Sequence, residues 1–305
     1  MLKKLTATTL AATMVTVAPV GAAEARARPK APKGVSAASA ILYDATAKKV
    51  LWKRNAGKRM PVGSMNKVAL AMVVLDGGGL GRKIKIRQKY KDWVDDWGAS
   101  NSRLVPGDVL TARQLLEAML IESGSDAAYA LAEAYGGTGG HLGAQLKMNT
   151  LAKRLGMKNT RYTSFDGQPA KGDGTTAADQ LKLARHAMKN KTFASIVKTV
   201  KKDIVSETGR RYPLRTHNLL LRGSGIDEDN TGYPGLRGIK TGTTGTAGAC
   251  FMFSARRKKH TVYGIVLKSS SGEARFQDTV KMLDWAYGTR TAVTLTPAPP
   301  RLRGE

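Results

Sequence analysis

The sequence predicts an α/β (α+β) fold: an antiparallel sheet flanked by helices, with a helical lobe inserted into it. Three observations lead there. Short β-like runs stand near both ends of the chain, the middle from Thr111 to about Val200 has helical periodicity, and no internal repeat divides it. Strands from the two ends can close one sheet, the middle then forms a second lobe, and a cleft opens where the lobes meet.

The elements follow in order. Lys3 and Lys4 precede an uncharged run from Leu5 to Ala23 that reaches Ala23-Glu24-Ala25, so residues 1–25 read as a cleaved signal peptide and the protein as exported. The run is about long enough to span a bilayer, but its Ala and Thr content, Pro19 and Gly21 favour cleavage over a spanning helix. Residues 26–38 are basic, contain proline and lack apolar periodicity, which reads as a linker. The folded domain is expected over 39–288, opening with a hairpin of Ala40–Asp44 and Val50–Lys53. A helix is predicted from Ser64 to Leu75, closed by Gly77-Gly78-Gly79.

Further helices are predicted over 111–121, 126–135, 142–155, 176–188 and near 193–200. Strands are predicted over 236–241, 249–255 and 261–267, followed by a helix over 274–285. Residues 289–305 form a short tail with Pro and Arg.

The 305 residues are 42% hydrophobic, which suffices for a core and argues against disorder. The formal net charge of +27 is spread along the chain. Such a charge suits nucleic acid, but aromatics are only 6% and no repeated stacking motif occurs, so specific nucleic-acid binding is not expected. Electrostatic attachment to anionic wall polymers or lipid fits an exported chain better. Cys250 is the only cysteine, so no intrachain disulfide forms, and a buried inert thiol in a strand is expected. His141, His186, His217 and His260 show no ligand spacing, and neither metal nor cofactor is expected.

Three short motifs carry chemistry. Ser64-Met65-Asn66-Lys67 places a hydroxyl and an amine three residues apart at a helix start, on one face. A serine hydroxyl becomes a good nucleophile when a base takes its proton, and a lysine kept neutral by burial is such a base. Ser123-Gly124-Ser125 lies between two helices and can present hydroxyls across a cleft. Lys240-Thr241-Gly242-Thr243 lies on a strand before a glycine-rich turn, where a lysine, hydroxyls and backbone N–H groups can meet an extended peptide. Each motif alone is commonplace: a helix cap with a solvated lysine, a second cap, a strand-end turn. Their order along one chain is far more specific.

With these motifs the sequence resembles the low-molecular-mass penicillin-binding proteins, the serine D-alanyl-D-alanine carboxypeptidase family. The likeness runs from about Ala38 to Tyr287 and includes Ile41–Asp44, Ser123–Glu133, Leu155-Gly156-Met157 and Gly238–Gly242. The resemblance implies the serine β-lactamase/D,D-peptidase-like fold, peptidoglycan stem peptides ending in D-Ala-D-Ala as substrate, and β-lactams as covalent inhibitors. It implies Ser64 as the acylated serine, Lys67 as its base, and Ser123 as a relay to the departing D-alanine. It implies Ser125, Lys240, Thr241, Gly242 and Thr243 as substrate-binding residues, with the N–H groups of Ser64 and Thr243 as the oxyanion hole.

Two departures stand out. The family's second motif usually ends in asparagine, where this chain has Ser125, whose hydroxyl lacks the paired donor and acceptor of an amide. Residues 288–305 are too short for the β-rich domain and membrane helix of many relatives. Hydrolysis, transpeptidation and a non-catalytic wall-binding role on the same fold remain open at this level. A class A β-lactamase is disfavoured, because no E-x-x-L-N segment lies between Asp126 and Lys240.

Overall fold

The computed structural model describes residues 31–223 and 231–293; the signal-peptide reading, residues 26–30 of the basic linker and most of the tail fall outside them. Strands β1 (Ser39–Asp44) and β2 (Lys49–Arg54) form the first hairpin. Its turn is held by Asp44 Oδ1, which accepts from the N–H groups of Thr46 and Ala47 at 2.8 and 3.0 Å. A 3-10 turn, Gly63–Asn66, leads into α1 (Lys67–Gly77). Every residue of α1 from Lys67 to Val74 is buried, as expected of a helix apolar on all sides, and Gly78 at φ +65 ends it.

The helical lobe follows. It holds β3 (Lys83–Lys85), α2 (Gln88–Trp97), β4 (Val109–Thr111), α3 (Ala112–Glu117), α4 (Ser125–Tyr135) and α5 (Gly140–Arg154). A capping box between Thr111 and Gln114 starts α3, and a π-turn, Ala118–Glu122, ends it. Then come α6 (Ala177–Ala187), capped by Thr176, and α7 (Lys191–Ile196), capped by Asn190. Strands β5 (Lys201–Val205) and β6 (Arg211–Arg215) make a separate hairpin. The chain then returns through β7 (Leu236–Thr244), β8 (Gly248–Arg257), β9 (His260–Ser269) and α8 (Ala274–Tyr287).

The main sheet runs β2-β1-β9-β8-β7 with every pair antiparallel, so strands from both ends of the chain do close one sheet. One core lies between one face of the sheet, α1 and the helical lobe; a second lies between the other face and α8, around Leu42, Phe251, Phe253 and Phe276. Packing begins at Val35. Val35 and Ala37 are buried in the second core, and Asp278 of α8 accepts from the N–H groups of Ser36 and Ala37 at 2.7 and 2.9 Å.

The structure differs from the sequence expectation in several places, among them the β3–β4 pair and the packing of Val35 and Ala37 within the segment read as a linker. The first helix starts at Lys67 rather than Ser64, because Gly63–Asn66 winds as a 3-10 turn. Helix α2 was not expected, although Tyr90, Trp93, Val94 and Trp97 carry the i, i+3, i+4, i+7 spacing of an amphipathic helix, so this signal was present and was missed. The β5–β6 hairpin was not expected either, since its strands bury only Ile204, Tyr212 and Leu214 among charged residues.

Candidate active site

The local geometry of the first motif follows from its 3-10 winding, which has three residues per turn and therefore stacks side chains i and i+3. Lys67 Nζ lies 2.9 Å from Ser64 Oγ. The turn is seated by close backbone packing on two sides. A methyl group on Gly242 of β7 would lie 2.1 Å from Val62 O, and one on Gly167 would lie 1.9 Å from Gly63 O. Neither neighbour can yield cheaply, so both positions require glycine at this approach.

Lys67 is fully buried. It donates to Ser123 O at 2.6 Å and to Ser125 Oγ at 3.1 Å as well as to Ser64. Burial lowers its pKa from 10.5 to about 8, against the opposing pull of the Asp166 and Asp126 carboxylates. Asp126 sits at the start of α4 and accepts from the N–H groups of Ser102, Leu104 and Ala127. Asp166 accepts from Trp93 Nε1 at 2.9 Å and from Ser164 Oγ at 3.0 Å.

The second motif is placed by the π-turn, after which Ser123 takes up φ +67, an uncommon backbone state for a serine. The Ser123 hydroxyl accepts from Lys240 Nζ at 2.8 Å. Thus the Ser123 carbonyl meets Lys67 while its hydroxyl meets Lys240. Lys240, on edge strand β7, is buried, and its pKa falls well below 10.5 through burial and the neighbouring Lys67 and Arg275 charges.

Ser64, Ser123, Thr241, Gly242 and Thr243 all border one cleft of about 420 Å³ between the lobes. Two of the expected substrate-binding residues do not border the cleft. Ser125 is completely buried and touches Lys67 instead of bordering the cleft, and Lys240 lies beneath the floor against Ser123. A buried guanidinium, Arg275 of α8, borders the cleft. It donates to Thr243 Oγ1 at 2.6 Å and Gly242 O at 3.2 Å, its Nε has no partner among the described residues, and burial lowers its pKa to about 10.

Sequence reasoning also missed Glu122, Trp97 and Arg103 as cleft residues and left His217 without a role. His217 borders the cleft 3.9 Å from Glu122, too far for a hydrogen bond, and burial lowers its pKa. For Arg275 one signal existed: an arginine on the inward face of a helix, beside Phe276. Among the described residues no cluster of three or more metal-ligating side chains occurs, and no helix is long and apolar enough to cross a membrane. Cys250 of β8 is buried, and burial pushes its thiol up to about 11.

The family model for D-alanyl-D-alanine carboxypeptidase matches residues 25–271. The chain belongs to that family. It is 37% identical over 246 residues to a D-alanyl-D-alanine carboxypeptidase of Streptomyces sp. (strain K15), covering 78% of this chain and 82% of that one. The crystal structure of a Streptomyces DD-transpeptidase matches with a TM-score of 0.76 at 35% identity, over 83% of this chain and 98% of that one. Penicillin-binding protein D2 of Listeria monocytogenes, in an ampicillin-bound form, matches with a TM-score of 0.68 at 27% identity, with the same coverages. The D-alanyl-D-alanine carboxypeptidase family is thus represented here by a chain that keeps the D,D-peptidase fold and brings its three motifs to one cleft.

Proposed function

We propose that this chain is an exported serine D-alanyl-D-alanine carboxypeptidase that acts on peptidoglycan stem peptides through an acyl-enzyme on Ser64 and is inhibited by penicillin. The observation that carries this reading is the buried Lys67 amine, 2.9 Å from Ser64 Oγ at the edge of the cleft. With a pKa of about 8, a usable fraction of Lys67 is neutral near neutral pH.

Neutral Lys67 takes the Ser64 proton as Ser64 Oγ bonds to the carbonyl carbon of the penultimate D-alanine. The resulting oxyanion is held by the backbone N–H groups of Ser64 and Thr243. Their closeness is supported by Gly63, on which a methyl group would lie 2.9 Å from Thr243 N. As the C–N bond breaks, the leaving amine takes a proton through the Ser123 hydroxyl, whose oxygen Lys240 holds at 2.8 Å. The terminal carboxylate of the substrate meets Thr243 and the buried cation Arg275, with Thr241 beside them. Water then resolves the ester. No step calls for a metal or cofactor.

A second reading, transfer of the acyl group to an amine, is favoured by the likeness to a Streptomyces DD-transpeptidase. Intact mass after exposure to benzylpenicillin tests the acyl-enzyme: one adduct per chain is expected, absent from Ser64→Ala. A folded sample without an adduct would sink the catalytic reading and leave wall binding. Peptide turnover with added glycine or D-amino acid acceptors separates the two readings, because transfer yields a coupled product and hydrolysis yields none.

A further inference from the structure

Arg103 stands on the helical-lobe wall of the cleft, in the segment between α2 and β4. That segment is pinned along its length. Ser125 N donates to Ser100 O at 2.7 Å, Arg103 N donates to Asn101 Oδ1 at 2.5 Å, and the buried carboxylate of Asp126 accepts from Ser102 N and Leu104 N, each at 3.1 Å. Val105 N donates to Tyr212 OH at 3.1 Å. Within this frame Arg103 itself holds φ +58, a backbone state that costs an L-residue roughly 1–2 kcal/mol.

The side chain so placed is exposed, and it forms no ion pair or hydrogen bond among the described residues. Glu122 is the one carboxylate among the described residues that border the cleft, and it is already engaged: its Oε2 accepts from Arg215 N at 2.6 Å, and His217 faces its other oxygen. Arg275, by contrast, is buried in the sheet lobe and committed to Thr243 and Gly242. The cleft therefore presents two cations from opposite walls, whereas a D-alanyl-D-alanine terminus supplies a single carboxylate.

We propose that Arg103 is a specificity-determining residue that takes a second carboxylate, carried by the side chain of the residue preceding D-alanyl-D-alanine. This inference rests on the reading of Ser64 as the acylated serine. A guanidinium at an open cleft wall pairs with carboxylate in a forked geometry that an amide cannot match, so the preferred substrates are acidic stem peptides over their amidated counterparts. The cleft, about 420 Å³, holds Ser64 and Arg103 in the same space, which suits a group one residue from the scissile carbonyl.

The test compares two N-acetylated peptides, X-D-Ala-D-Ala, in which X is L-2-aminopimelate or its ω-amide. The full protein is expected to turn over the acid with kcat/KM about 10-fold above the amide, a ratio that shrinks with added salt. Arg103→Ala collapses the ratio to about 1, and Arg103→Lys restores part of it. Equal turnover of acid and amide by the unmodified protein overturns the inference, as does an Arg103→Ala loss that falls equally on both peptides. Benzylpenicillin labelling of the unmodified protein separates the failures. Labelling without an acid preference removes only the role of Arg103, and absence of labelling removes the Ser64 reading on which it rests.

Discussion

The lysine of the first motif predicts its own pH dependence. If Lys67 must be neutral to take the Ser64 proton, a pKa of about 8 leaves about 1% of it competent at pH 6, about 9% at pH 7 and about half at pH 8. Acylation by a chromogenic β-lactam, followed by stopped flow, should therefore rise about 50-fold from pH 6 to pH 8 and level off above pH 9. Lys67→Arg, whose guanidinium keeps its proton, should acylate at least about 1000-fold more slowly with no such limb. Stability provides an independent check with a defined sign. Because the folded pKa lies below the ordinary 10.5, the unfolded chain binds more protons between pH 8 and pH 10.5, so this group's contribution to stability rises across that window. Below pH 8 the buried charge costs about 3 kcal/mol, from 1.36 kcal/mol per pKa unit. Lys67→Met should remove that cost at pH 7, offset by about 1–3 kcal/mol for the Ser123 carbonyl left without its donor. An acylation rate that stays flat from pH 6 to pH 9 would refute Lys67 as the base.

Gly242→Ala would place a methyl group 2.1 Å from Val62 O, pushing the Ser64 turn off β7. Denaturant unfolding should show a loss of about 1–3 kcal/mol, and β-lactam acylation should fall about 100-fold. Arg275→Ala should lower peptide kcat/KM about 10- to 100-fold, mainly through KM, which steady-state kinetics on a D-Ala-D-Ala peptide reads directly. His217 has a pKa below its ordinary 6.5 because it is buried, so its contribution to stability is full above pH 6.5 and declines as the pH falls below that value. His217→Asn should flatten thermal stability between pH 6.5 and 5, as seen in melting curves across that range.

Much of this protein is written locally. The apolar run Val68–Val74, the terminal strands and the glycines after Leu75 belong to elements whose periods and stop signals act over a few residues. The spacing of Ser64 and Lys67 likewise places hydroxyl and amine together under either helical winding, because both bring residues three apart onto one face. The strands near both chain ends likewise predicted a cleft, since they can close one sheet around the lobe that lies between them.

Other features were decided only when distant segments packed. The β5–β6 hairpin buries so few apolar residues that tertiary contacts, not its own pattern, hold it. Whether Ser125 and Lys240 border the cleft depends on how α4 and β7 approach α1, and both are buried instead, against Lys67 and Ser123. Arg275 reaches the cleft from α8, and Arg103 reaches it from a loop anchored on Asp126; no local spacing relates either residue to Ser64. The pKa of Lys67 belongs to the same class. A lysine in the sequence has an ordinary ammonium, and only burial among distant segments makes it a base near neutral pH.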